Sequence, residues 1–365
     1  MDSALRLATA ARLQAPPNPA VGCLLVAADG RTIGEGGTQH TGGPHAEIMA
    51  LRDAVARGEP TAGATAYVTL EPCAHFGRTG PCCEALIAAR VARVVAAATD
   101  PNPLVAGQGF ARLRAAGVAV EVLASDDPAA IAARELNIGF FSRMVRGTPW
   151  VRMKVAASLD GQTALADGRS QWITADAARA DGHAWRARAD VVLTGIGTVL
   201  EDDPQLDVRL APTPRQPMLV VVDSRLETPP HARLFEPRRP VRIYAATDDA
   251  ARRAALEGRG ATVATLPGPG GKVDLAAMLR DLATREVNEV HVEAGHKLNG
   301  SLLREGLVDE FLVYLAPKLL GSGRGMAAIG PLQSLGDAVA LEFRAVEMIG
   351  ADLLVLARIP GRDSF

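Results

Sequence analysis

The chain has 365 residues, with 39 basic side chains against 41 acidic ones and a net charge of −2. That length is too great for one typical core and predicts about two domains, while the even charge balance excludes the broad basic face of a nucleic-acid binder. All four cysteines (23, 73, 82 and 83) lie in the first quarter, which excludes a disulfide framework and points to a reducing compartment.

In chain order, the apolar spacing predicts a helix over residues 5–13 and a strand over 20–27 that buries Cys23. Asp29-Gly30 reads as a hairpin turn into a second strand through Gly34. Then follow a helix over 46–57, a strand over 65–70, a helix over 84–90 after Pro81 and a strand over 93–98. A helix over 109–116, a strand over 118–123 and a helix over 127–137 close this half. Alternating strands and helices imply an α/β sandwich whose sheet is mainly parallel apart from the early hairpin. The pattern breaks across 140–149, where Phe140, Phe141 and Met144 precede Gly147 and Pro149. A boundary there gives domains 1–145 and 149–365, joined by a packed rather than a free linker.

The second half opens with a strand over 150–158, followed by a helix ending at Ala187 and a strand over 190–194 that runs into Gly195-Ile-Gly197-Thr198. A strand, a glycine turn and a helix start expose backbone N–H groups suited to a phosphate. No G-x-G-x-x-G with its later acidic residue is present, so a conventional dinucleotide fold is disfavoured. A further strand covers 218–222 and a helix 298–305, with Pro/Gly-rich connectors at 211–217 and 267–271 and no internal repeat. The start, Met1-Asp2-Ser3-Ala4, lacks a charged region followed by an apolar core, and no apolar run reaches the ~18 residues of a membrane span. The expectation is a cytoplasmic protein with no membrane partner.

The chemistry is carried by His45-Ala46-Glu47 and, a few dozen residues on, by Pro72-Cys73 and Pro81-Cys82-Cys83. One imidazole and two thiolates make three ligands for a tetrahedral zinc and leave a fourth position for water. Glu47 stands two residues past His45, and such positions on a helix do not face the same way. It is better placed as a proton shuttle, taking a proton from zinc-activated water and handing it to a departing amine. H-x-E followed by P-C and a further cysteine is the pattern of zinc deaminases. A purely structural zinc closed by His75 or Cys83 would leave Glu47 without a task, and spacing alone does not separate Cys82 from Cys83.

The segment E-P-C-x-H-x-G-R-T-x-P-C, with Asn18-Pro19-x-Val21-Gly22 upstream, resembles the deaminase half of the bifunctional riboflavin-biosynthesis deaminase/reductase family. K-x-A-x-S-L-D-G, S-Q-W-I-T, the Gly-Thr turn with E-D-D-P, V-D-S, V-E-A-G and A-P-K-L-L-G, in that order, resemble its reductase half. The likeness covers residues 2 to 357. It implies a cytidine-deaminase-like three-layer α/β domain followed by a dihydrofolate-reductase-like α/β domain. The implied activities are hydrolytic deamination of a diaminopyrimidinone carrying ribosylamino 5'-phosphate, then NADPH reduction of the ribose to ribityl. The family pattern selects Cys82 over Cys83, making His45, Cys73 and Cys82 the zinc ligands and Glu47 the catalytic residue. Asn18, His75 and Arg78 are its deaminase-side substrate candidates, with His40 a weaker one.

On the reductase side the resemblance places Ala156, Trp172, Thr198, Asp202, Ser224 and Gly295 at NADPH. Ser170, Arg186, Leu206, Arg209 and Glu293 fall at the phosphoribosyl substrate, where bidentate guanidinium groups suit a phosphate monoester. Only four of the 39 basic residues are lysines, and Lys154 lies in an apolar strand where an unpaired ammonium is costly, so it joins the substrate candidates. Asp223-Ser224-Arg225 follows a strand, and its hydroxyl and guanidinium suit the 2'-phosphate of NADPH provided Asp223 points away. The partners expected are a phosphorylated pyrimidine and no nucleic acid, with a homo-oligomer left open. A nucleic-acid base editor is disfavoured by charge, and a non-enzymatic zinc-stabilised regulator by Glu47.

Overall fold

The computed structural model describes residues 1–74, 80–103 and 105–365. It divides into two compact units, Met1–Gly147 with Phe365, and Thr148–Ser364. The first unit contains, in order, α1 (Asp2–Ala11), β1 (Gly22–Val26), β2 (Thr32–Gly37), α2 (Ala46–Ala56), β3 (Thr65–Val68) and α3 (Cys82–Ala88). It continues through β4 (Arg93–Ala96), α4 (Gln108–Ala115), β5 (Ala119–Val122), α5 (Pro128–Leu136) and α6 (Ile138–Arg146). The strands lie in the order β2-β1-β3-β4-β5. The expectation of a mainly parallel sheet needs correction, because β1 is antiparallel to β3 as well as to β2 and only β3-β4 and β4-β5 are parallel. The connection through α2 passes over β1 and seats β3 on its far side, so β3 runs in the direction of β2 and against β1.

Glycines decide how closely the helices approach this sheet. A Cβ on Gly34 would stand 2.3 Å from the Ala50 carbonyl oxygen, and one on Gly36 would stand 2.5 Å from the Ala50 nitrogen. The Gly-rich run therefore continues β2 to Gly37, beyond the expected end at Gly34, and lets α2 lie directly on the strand. The expected break across 140–149 is also corrected. Residues 138–146 form α6, which buries Phe140 and Phe141 and ends at Gly147 in the left-handed region, φ 69°. Asn137 separates it from α5 and spends its side chain on Ala20, accepting from the Ala20 N–H at 2.7 Å and donating to its carbonyl at 2.9 Å. With α5 started by the Asp127 cap and Pro128, two short helices replace one helix and a linker.

The second unit begins with β6 (Trp150–Ser158), β7 (Gln162–Leu165), α7 (Asp176–Arg188), β8 (Val191–Gly195), α8 (Ile196–Asp202) and β9 (Met218–Val222). Then come β10 (Val241–Ala245), α9 (Ala250–Glu257), β11 (Ala261–Thr265), α10 (Leu275–Thr284), β12 (Glu289–Val292) and α11 (His296–Arg304). It ends with β13 (Glu310–Ala316), β14 (Gly323–Gly325), β15 (Glu342–Ile349) and β16 (Asp352–Arg358). Nine strands form one sheet in the order β11-β10-β9-β8-β12-β6-β13-β16-β15. From β11 to β13 every neighbour is parallel, and β16 is antiparallel to both β13 and β15. Val191 and Leu193 pack with α10 and α11 on one face, whereas Val192 packs with α8 and α9 on the other. Helices after the neighbouring strands β8 and β12 thus leave on opposite faces, which opens a crevice at the carboxyl ends of those strands.

Lys154 is not the only charge in β6. Arg152 is 3% exposed and donates to Glu310 at 2.5 Å and Glu289 at 2.7 Å, while Arg358 meets Glu310 at 2.8 Å. These groups sit at the opposite end of the sheet from the crevice, where pairing and hydrogen bonding make a buried charge tolerable.

Candidate metal centre and nicotinamide crevice

Three elements bring the metal candidates together. His45 is the N-cap of α2, Cys73 lies in the segment leaving β3, and Cys82 is the first residue of α3. Their ligand atoms all lie within 4.8 Å of one another, and no other such group of three or more occurs among the described residues. His45 Nδ1 stands 3.5 Å from Cys73 Sγ and 3.4 Å from Cys82 Sγ. Tetrahedral bonds of ordinary zinc–sulfur and zinc–nitrogen length would separate such atoms by about 3.6 Å, so the donor set and its spacing both fit zinc. Cys83 turns away and is fully buried in the apolar core.

The electrostatics agree with that chemistry. The hydrogen bond from Cys82 and then the His45 imidazole outweigh burial and hold Cys73 well below the usual thiol range. Cys82 is raised by the same shared proton, and His45 is raised by its contact with Cys73. The Cys82 N–H also donates to Cys73 Sγ at 3.3 Å, so the start of α3 stabilises the thiolate as helix N-termini do. Glu47, in the first turn of α2 and 3% exposed, is pushed up to about 7 by burial and then by the Cys73 sulfur. Asn18 lies half-buried in the loop after α1, with its N–H on the Ala15 carbonyl at 3.0 Å, and His40 is exposed. His75 and Arg78 lie outside the described residues.

In the second unit four cofactor candidates stand at the carboxyl ends of four neighbouring strands, β9-β8-β12-β6. Ser224 follows β9, Thr198 lies in the first turn of α8 after β8, Gly295 is the N-cap of α11 after β12, and Ala156 lies two residues from the end of β6. A Cβ on Gly295 would stand 3.7 Å from Thr198 Oγ1, so the two strand-to-helix turns meet. Asp202 is the last residue of α8, at the end away from this meeting point. Trp172 is 62% exposed, which rules out core packing; Arg179 stacks on it at 4.6 Å and Lys318 donates to its carbonyl at 3.2 Å. Asp223 is fully buried and accepts from the Thr228 N–H and hydroxyl, both at 2.7 Å. Arg225 is exposed and paired with Glu227 at 3.1 Å.

Glu293, just past β12, gathers the substrate candidates. Arg186 from the last turn of α7 forks onto its carboxylate at 2.7 and 3.0 Å, and Lys154 Nζ approaches at 3.6 Å. Burial works to raise this carboxyl, but Arg186 and then Lys154 hold it well below the usual carboxylate range. Arg186 also donates to the Asp207 carbonyl, and Arg209 pairs with the Asp207 carboxylate. Leu206, the residue before Asp207, has φ 53°, with Arg239 donating to its carbonyl and to that of Gln205. Ser170 is half-buried in the loop before α7.

Sequence reasoning missed His183, whose Nδ1 accepts the Arg209 N–H at 3.2 Å. Burial, Arg186 and Arg209 bring it down to about 4, so it stays neutral at pH 7. Its spacing three residues before Arg186 on one helix was the available signal.

Comparison with known proteins accounts for both centres. The model of the cytidine and deoxycytidylate deaminase zinc-binding region matches residues 1–98, and that of the RibD C-terminal domain matches residues 149–355. The riboflavin biosynthesis protein RibD of Escherichia coli K12 is 46% identical over 370 residues, covering 97% of this chain and 96% of that protein. The chain belongs to the bifunctional riboflavin-biosynthesis deaminase/reductase family. The RibD of Mycobacterium tuberculosis is 41% identical, with 93% of this chain and 90% of that one covered. Among solved structures, Acinetobacter baumannii RibD (form 1) superposes with a TM-score of 0.88 at 40% identity, over 98% of this chain and 97% of that one. The Thermotoga maritima diaminohydroxyphosphoribosylaminopyrimidine deaminase/5-amino-6-(5-phosphoribosylamino)uracil reductase gives 0.85 at 31% identity, again over 98% and 97%. As a member of this family the protein is a hydrolase and an oxidoreductase that uses zinc, a nicotinamide cofactor and a phosphorylated pyrimidine. No helix among the described residues is long and apolar enough to cross a membrane.

Proposed function

We propose that His45, Cys73 and Cys82 hold one zinc and that Glu47 moves the proton in deamination of the diaminopyrimidine substrate. The observation that carries this reading is the convergence of three ligand atoms within 4.8 Å beside a buried carboxyl group that is not one of them. When bound, zinc supplies a water whose pKa falls from about 15.7 toward about 7. Glu47 accepts the proton of the attacking water and delivers it to the ring 2-amino group, which leaves as ammonia while the water oxygen takes its place. The chain's second centre then reduces C1' of the opened ribose, with Arg186, Arg209 and Lys154 holding the phosphoribosyl group near Glu293.

Chelator-treated protein is expected to lose deamination yet still reduce supplied deaminated substrate, with metal analysis of the untreated protein giving one zinc per chain. Loss of both activities together would sink the reading of two separable sites.

We assign the hydride donor as NADPH. Ser224 and the exposed Arg225 stand past β9, and Asp223 is turned into the core, so its carboxylate does not face a 2'-phosphate, which would take the place of Glu227 on Arg225. The ratio of kcat/KM for NADPH over NADH should exceed tenfold in the wild type, and each of Ser224→Ala and Arg225→Ala should lower it. Charge-assisted contacts of this kind contribute roughly 1.5 to 3 kcal/mol each, net of exchange with water. Equal use of both cofactors by the wild type rejects the assignment, and an unchanged preference in both variants moves the phosphate elsewhere.

A further inference from the structure

Glu71 opens the E-P-C segment, two residues before the ligand Cys73, and the deamination chemistry gives it no task. It is 3% exposed, and its carboxylate faces backbone donors on both oxygens. One oxygen accepts from the N–H groups of Gly109 at 2.9 Å and Phe110 at 3.3 Å; the other accepts from Gly107 at 2.9 Å and Asp100 at 3.2 Å. Three of these donors belong to the N-cap and first turn of α4, where helical N–H groups lack partners of their own. Four backbone donors on one side chain, three of them buried, fix its place far more firmly than a surface ion pair would.

The next residue is clamped to the same helix. A Cβ on Gly109 would stand 2.0 Å from the Pro72 carbonyl oxygen, so this contact exists only because residue 109 is glycine. Cys73 in turn accepts from α3, its carbonyl from the Cys83 N–H at 3.2 Å and its sulfur from the Cys82 N–H at 3.3 Å. The Cys73 thiolate is therefore held from one side by α3, which carries the ligand Cys82, and from the other through Glu71 and Pro72 by α4, which carries no ligand.

We infer that Glu71 is a positioning residue for the metal centre, setting the place of the Cys73 sulfur by tying the exit of β3 to the first turn of α4. The inference rests on the reading of His45, Cys73 and Cys82 as zinc ligands. Groups that orient ligands in this indirect way typically change metal affinity by about 10- to 100-fold. Glutamine keeps the shape of Glu71 but turns an NH2 group toward one pair of N–H donors, so one half of the clamp is lost without a cavity.

The test uses the full chain and three variants, Glu71→Gln, Leu113→Ala and Cys73→Ser. Zinc affinity is measured by competition with a chromogenic chelator, and ligand geometry by the visible spectrum of the cobalt(II)-substituted protein. Glu71→Gln should weaken zinc by about 10- to 100-fold and alter the cobalt bands, with reduction of supplied deaminated substrate unchanged. Leu113→Ala, a core truncation in the same helix, should lower thermal stability while leaving zinc affinity and the cobalt bands alone. Wild-type zinc affinity and cobalt spectrum in Glu71→Gln would overturn the inference. So would equal zinc loss in Leu113→Ala, since the effect would then be one of stability alone. Retention of zinc by Cys73→Ser would instead remove the ligand reading on which both rest.

Discussion

Glu47→Gln is expected to keep its zinc and to lose hydrolytic deamination by about 10²-fold or more, the usual contribution of a positioned acid–base group. The substitution preserves volume and hydrogen-bonding shape in a site where Glu47 is 3% exposed, so folding should be unaffected. It removes only the ability to accept a proton from water and release it to the amine. Because the clustered ligand atoms belong to His45, Cys73 and Cys82, metal content by mass spectrometry under native conditions should match the wild type. Zinc loss would move Glu47 into the ligand set. Full deaminase turnover would leave the shuttle without a carrier and revive a purely structural role for the metal. Reduction of supplied deaminated substrate should be the same in both proteins, which makes it the internal control.

The clustering of His45, Cys73 and Cys82 was legible in the sequence because zinc chemistry restricts ligand types so tightly. An H-x-E at a helix start with two proline-preceded cysteines leaves few alternatives, and the three side chains converge although they come from separate elements. The reductase sheet was legible in part. Strands such as β8 and β9, buried on both faces, give continuous apolar runs that periodicity can find. β15 gives no such signal: it is the outermost strand and is exposed along most of its length, with Phe343 and Met348 open to solvent. The second antiparallel pairing in the first sheet was hidden for a different reason, since direction depends on which strand a crossover passes and not on the strand's own residues. α6 is masked in the sequence because Phe140, Phe141 and Met144 just before Gly147 and Pro149 also suit a packed linker. Their spacing with Arg143 and Arg146 is that of a two-turn amphipathic helix closed by Gly147. Arg152 does not stand out beside Lys154 in the sequence because arginine is abundant in this chain and composition makes only lysine conspicuous.

Glu310→Ala is expected to destabilise the reductase unit by about 3 to 5 kcal/mol, the cost of breaking a buried charge pair from one side. The Glu310 side chain is 1% exposed and lies between the guanidinium groups of Arg152 and Arg358, themselves 4% and 3% exposed. Arg152 retains Glu289 at 2.7 Å and Arg358 retains Asp363 at 2.6 Å, so each keeps one carboxylate, but the shared one between them disappears. Two buried cations would then face each other with less negative charge than the fold supplies now. Burial works to raise the Glu310 carboxyl, yet Arg152 and then Arg358 hold it below its ordinary value. A depressed carboxyl stabilises the fold in full above the unfolded-state value, near pH 4.3, and that contribution disappears as pH falls through the lower folded value. The wild-type advantage over Glu310→Ala should accordingly hold from neutral pH down to that region and shrink below it. All three tryptophans, Trp150, Trp172 and Trp185, lie in this unit, so urea unfolding followed by tryptophan fluorescence reads it separately. Zinc release reads the other unit. An unchanged fluorescence midpoint in Glu310→Ala would show that Glu289 and Asp363 alone neutralise the two arginines.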